Sequence, residues 1–147
     1  MGNSSVLEQT TTQDPIAVSR KFFATFNAVA VEECVAALSI DVSYESDSLP
    51  TPVLKGRAAA RSAVEAYTKA FPDLHVEIEQ EIASGTSVVV RWKSTGTHTG
   101  DFGGISATGR KVTTHGCTVQ EIRDGQIVRS VNYWDNLSMM QQLGVLP

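Results

Sequence analysis

The carboxylate of Asp135 is the group in this 147-residue chain best placed for acid/base chemistry. Two strand-like runs, Val112–Ile122 and Gln126–Asp135, are joined by Arg123-Asp124-Gly125. Asp-Gly between such runs predicts a tight hairpin, because Gly takes the positive φ that the turn requires. Alternation from Ile127 places Val131, Tyr133 and Asp135 on one face, which puts a carboxylate in line with apolar and aromatic neighbours. If that face is a pocket wall, the acid is partly desolvated, its pKa rises, and it can take and return protons near neutral pH. The same position also suits a helix cap, since Asp is a good N-cap for a helix starting near Leu137.

Other chemistries find less support. His75, His98 and His115 have no metal-ligand spacing, and neither His-x-His nor His-Glu-x-x-His occurs, so no metal is expected. Gly100-Asp101-Phe102-Gly103-Gly104 is followed by no helix and is not a nucleotide fingerprint. Cys34 and Cys117 read as small core residues outside any redox or disulfide pattern. No serine or cysteine has the context of an activated nucleophile.

The whole chain sets wider bounds. Its net charge of −4 and its scattered Lys and Arg argue against a nucleic-acid surface and for a neutral or weakly charged small partner. No apolar run reaches the length of a membrane span, and the N-terminus lacks a signal core. Val6 stands where a myristoylation signal needs Ser or Thr, and Asn3-Ser4-Ser5 and Asn136-Leu137-Ser138 read as chance matches to the glycosylation tripeptide. The cytoplasm is the expected compartment.

The elements that must position these residues follow in order. Residues 1–13 read as a polar disordered tail, and residues 14–147 as one domain. Asp14-Pro15 opens a helix whose Ile16, Phe22, Phe23, Phe26 and Val29 form a broad apolar face. A short helix carries Val31, Cys34, Val35 and Leu38. Ile40–Ser46 alternates as a strand with Val42 and Tyr44, and Leu49-Pro50-Thr51-Pro52 breaks it. Arg57–Ala70 is a third helix, ended by Phe71-Pro72. From Leu74 the period changes to two, with Leu74, Val76 and Ile78 on the buried side. In Val88–Thr99 the residues Val88, Val90, Trp92, Ser94 and His98 share the inward parity, and Arg91 and Lys93 face out. Gly100–Arg110 is a loop whose Phe102 and Ile105 want cover. Leu137–Leu143 closes the chain, with Gly144 as C-cap. This order predicts an α+β domain in which a curved sheet wraps a helix layer and leaves a conical cavity for a ligand.

Several pieces in sequence carry a resemblance. Ala70-Phe71-Pro72-Asp73-Leu74, Arg91-Trp92 leading to Gly96-Thr97-His98-Thr99-Gly100, Thr108-Gly109-Arg110-Lys111-Val112, Asp124-Gly125-Gln126-Ile127, and Trp134-Asp135 with Gln142-Leu143-Gly144 together resemble the SnoaL-like polyketide cyclase family, within the cone-shaped nuclear-transport-factor-2-like superfold. The resemblance implies a cofactor-free cyclisation, such as an intramolecular aldol closure, in which Asp135 shuttles protons. It also implies a hydrophobic small-molecule substrate and a homodimer through the outer sheet face. The family's cyclases carry a histidine at the position of Thr118. Here His115 lies three residues earlier on the opposite parity, and would join Asp135 only if Gly116 forms a bulge.

An aldol closure further needs a donor to the developing oxyanion, for which Tyr44, Tyr133, Thr118, Ser94 or a water qualifies. It also needs walls, for which Trp92, Phe102, Phe26 and Met139 qualify, and His98 could line the mouth. Isomerase, epoxide-opening cyclase and pericyclase are alternatives on the same fold, as is a non-catalytic binding or dimerisation module.

Overall fold

The computed structural model describes residues 14–46 and 52–146. The expected tail over residues 1–13 and most of the break at Leu49-Pro50-Thr51-Pro52 lie outside the described residues.

Helix α1 (Pro15–Asn27) starts where the sequence puts its signals: Asp14 accepts a hydrogen bond from the Ile16 backbone N–H at 3.0 Å, and Pro15 occupies the first turn. A short helix, α2 (Val31–Ala36), leads into β1 (Leu38–Ser46) and β2 (Val53–Lys55). Helix α3 (Arg57–Ala70) precedes four long strands, β3 (His75–Ser84), β4 (Ser87–Thr97), β5 (Lys111–Arg123) and β6 (Gln126–Trp134), and α4 (Asn136–Leu143) closes the fold. Asp124 and Gly125, at φ 51° and 74°, make the two-residue β5–β6 turn, the mirror-image type that follows the strand twist.

The six strands form one mixed sheet in the order β2-β1-β6-β5-β4-β3, in which only β1 and β6 run parallel. The sheet curls around α1, which packs on β3 to β6, while α3 covers β1 and β2. This is the expected α+β cone. Its main core joins Val18, Phe22 and Phe23 of α1 to Val42, Val88, Val90, Ile122 and Ile127 of the sheet. Each such side chain contributes roughly 1.5–3 kcal/mol by leaving water. A second cluster of Ala70, Phe71, Val112, Met139 and Leu143 packs α4 against the end of α3.

Two places depart from simple alternation. Ile40, expected beside Val42 and Tyr44, is 77% exposed because the β1–β6 register shifts between Leu38 and Ser43. The other lies in β6 and decides the site.

Candidate functional site

Within the cone lies a cavity of about 100 Å³. Helix α1 supplies Phe22, Phe23 and Phe26 to its wall, α3 supplies Tyr67, and the turn after α3 supplies Phe71 and Leu74. The sheet supplies Tyr44, Val76, Trp92, Ser94, Val112, Thr114, Thr118, Asn132 and Trp134, and α4 supplies Met139. None of these side chains carries a formal charge at neutral pH.

Asp135 is not among them. Its carboxylate is exposed and caps α4, with Oδ1 accepting from the Ser138 N–H at 3.0 Å. The expectation of a pocket-facing acid fails for a local reason. Ile122 pairs with Ile127 but Glu121 pairs with Arg129, so Val128 is an extra residue in β6. That bulge flips the strand from there on. Ser130, Asn132 and Trp134 turn inward, while Tyr133, 56% exposed, and Asp135 turn outward.

His115 is likewise corrected. The β4–β5 ladder runs without a shift through Trp92↔Gly116 and Lys93↔His115, so Gly116 is no bulge and His115 lies exposed on the outer face. Only its carbonyl meets Asp135, accepting from that residue's backbone N–H at 3.1 Å.

His98 faces inward as expected but does not line the cavity. It is fully buried, its ring tilted on Phe71 at 5.4 Å. Nδ1 accepts from the Thr108 N–H at 3.2 Å, and the His98 backbone N–H and carbonyl bond to Arg110 and Gly109. The residue thus fastens the C-terminal end of the Gly100–Arg110 loop to the end of β4. Phe102 of that loop packs on Tyr67 and Phe71 at 5.4 and 5.6 Å, supporting two wall residues from behind.

The structure does bring together Tyr44, Trp92, Thr118, Phe26 and Met139. Trp92 lies over Gly116, where a Cβ would stand 2.4 Å from its ring, and its Nε1–H donates to Thr118 Oγ1 at 2.9 Å. Thr118 in turn donates to Asn132 Oδ1 at 2.9 Å. Asn132 Nδ2 donates to the Glu45 carbonyl at 3.2 Å and to Ser130 Oγ at 3.4 Å. Across the cavity, Ser94 Oγ and Thr114 Oγ1 share a hydrogen bond of 2.6 Å. Tyr44 is buried, which pushes its phenol pKa above the usual tyrosine range and keeps the hydroxyl protonated as a donor.

Sequence reasoning missed Asn132 and Thr114. The parity of Val112 places Thr114 inward, whereas the signal for Asn132 is hidden by the bulge. Among the described residues no cluster of three His, Cys, Asp or Glu side chains could hold a metal. No helix there is long and apolar enough to cross a membrane.

A curled sheet closed by helices over an apolar cavity defines a protein of the nuclear-transport-factor-2 and ketosteroid-isomerase type of fold. More particularly, the chain belongs to the SnoaL-like polyketide cyclase family, which it matches over residues 16–143. Among solved structures it is similar to AclR from Streptomyces galilaeus, a proposed hydroxylase, with 26% identity, a TM-score of 0.80 and coverage of 91% of this chain and 87% of that one. It is also similar to a proposed SnoaL-like polyketide cyclase from Jannaschia sp. CCS1, with 20% identity, a TM-score of 0.82 and coverage of 90% and 93%. A third similar structure is IdmH from Streptomyces antibioticus, a proposed polyketide cyclase, with 24% identity, a TM-score of 0.76 and coverage of 89% and 99%. No curated protein sequence is a significant match.

Proposed function

We propose that the chain is a cofactor-independent cyclase of an uncharged, largely apolar polyketide-type substrate. The cavity takes the reacting part of the substrate, and Tyr44 donates to the oxygen on which negative charge builds. The observation that carries this reading is the lining itself: sixteen residues, mostly aromatic and aliphatic, with neutral hydroxyl, indole and amide groups as their polar atoms. An aldol closure that begins by removing a proton inside the pocket needs a base, and none of these residues is a carboxylate or imidazole. The lining therefore favours closures in which shape and a donor suffice, namely an isomerising or pericyclic closure or the cyclisation of a substrate already enolised.

The pH profile tests this. With a linear polyketide ester as substrate, kcat/KM is expected to stay flat from about pH 4 to about pH 8, a window in which a catalytic carboxylate or imidazole near its ordinary pKa would leave a step or a bell. A profile governed by one apparent pKa in that window would contradict the reading.

A homodimer through the outer sheet face belongs to the same proposal. Ile82, Val89, Val119 and Val131 stand in register across β3, β4, β5 and β6, an apolar row on that face. Sedimentation is expected to give twice the chain mass of 15.8 kDa, and Val119→Lys to give the monomer. A monomeric unsubstituted protein would contradict this part.

A further inference from the structure

Besides the Tyr44 phenol, the cavity wall carries a further hydroxyl proton left unspent. A hydroxyl carries a single donated proton. In the relay from Trp92 through Thr118 to Asn132, each donor has an acceptor, and the relay ends on the Glu45 carbonyl and Ser130. Apart from this relay stands the pair of Ser94 and Thr114, directly opposite each other on β4 and β5, with the residues only 8% and 6% exposed. Their oxygens are 2.6 Å apart, and either can donate to the other. Two O–H groups share one hydrogen bond, so whichever way it runs, one proton remains without a protein partner among the described residues. Both residues line the cavity. A buried O–H facing an apolar wall is costly until it finds an acceptor. The short bond within the pair also polarises the free O–H and makes it a better donor.

We propose that the Ser94–Thr114 hydroxyl pair is a polar anchor of the cavity, distinct from Tyr44, and receives a neutral carbonyl oxygen, ketone or ester, of the bound molecule. This rests on the reading of the cavity as the substrate site. A carboxylate is a poor fit because the lining offers no cation to balance its charge. The anchor lies beyond Trp92 from Thr118 and Asn132, since β5 places Gly116, with the indole above it, between Thr114 and Thr118. The substrate carbonyl is therefore held at the opposite end of the indole from the saturated relay.

Either hydroxyl can serve alone, which gives the test a distinctive signature. The probes are acetophenone and α-methylstyrene, the same skeleton with a methylene in place of the carbonyl oxygen, titrated by NMR into the protein, Ser94→Ala, Thr114→Val and the double variant. Each single variant retains an O–H for the ligand and is expected to change the acetophenone to α-methylstyrene affinity ratio by less than about threefold. The double variant is expected to lower that ratio about tenfold, the worth of one hydrogen bond, while still binding α-methylstyrene. In the unsubstituted protein the carbonyl stretch of bound acetophenone is expected below its position in hexane, and the double variant is expected to return it toward that position.

An unchanged ratio in the double variant, as a resident water on the pair would give, or a stretch at the hexane position, overturns the anchor and leaves the cavity reading standing. Failure of both probes to bind the unsubstituted protein overturns the anchor and the cavity reading together.

Discussion

Tyr44→Phe is expected to lower kcat about a hundredfold, the usual cost of removing one donor to a developing oxyanion, while KM stays nearly unchanged. The side chain stands on β1, inward beside Val42, and is 7% exposed. Burial raises its phenol pKa, so the neutral hydroxyl is the form the fold prefers. The sign of the linkage follows. A phenol whose folded pKa exceeds its unfolded value near 10 contributes its full stability below that pH and loses it as the pH climbs through alkaline values. Across the working range the group is therefore a donor and never a base. An interaction made chiefly in the transition state appears in kcat and leaves ground-state binding alone. Steady-state kinetics check it, and a kcat within threefold of the unsubstituted protein would remove Tyr44 from the reaction.

Gly116→Ala has the largest expected effect on the fold. The new Cβ would lie 2.4 and 2.5 Å from two atoms of the Trp92 ring and 2.7 Å from the Tyr133 carbonyl oxygen. The last is backbone and cannot swing away, so either the β5–β6 pairing opens or the indole leaves its place. In the second case the Trp92–Thr118 bond is lost and the cavity wall goes with it. Overpacking of this kind costs about 1–3 kcal/mol, which corresponds to a fall in Tm of roughly 3–10 °C for a chain of this size. Thermal unfolding followed by tryptophan fluorescence reports both the stability and the ring's environment. An unaltered Tm and spectrum would mean that Trp92 does not lie on Gly116.

The limits of sequence reading fall at particular residues. Asp14-Pro15, Asp124-Gly125 and Gly144 mark a helix start, a hairpin and a helix end through chemistry confined to two or three residues, and each stands where expected. The inward parity of Val88, Val90, Trp92 and Ser94 was equally legible, because β4 pairs with β5 without a shift. The β6 parity was not. A bulge depends on how two strands mate, and nothing in Gln126-Ile127-Val128-Arg129 announces that Val128 will find no partner. That single residue exchanges Tyr133 and Asp135 for Asn132 and Trp134 as pocket residues, and turns an apparent acid site into a neutral one. His98 shows a different limit: its inward parity is legible, but its use as a fastener for the Gly100–Arg110 loop depends on a chain segment with no periodicity.

The helix-cap reading of Asp135 and the neutral character of the cavity meet in one variant. Asn caps a helix about as well as Asp, whereas removal of the side-chain oxygen costs about 1 kcal/mol, so Asp135→Asn preserves the fold while abolishing the carboxylate. The most direct measurement is kcat of Asp135→Asn on a substrate that the unsubstituted protein cyclises. Turnover is expected within about threefold of the unsubstituted protein, whereas a loss of about a hundredfold or more, the usual worth of a general acid or base, would return the reaction to this carboxylate.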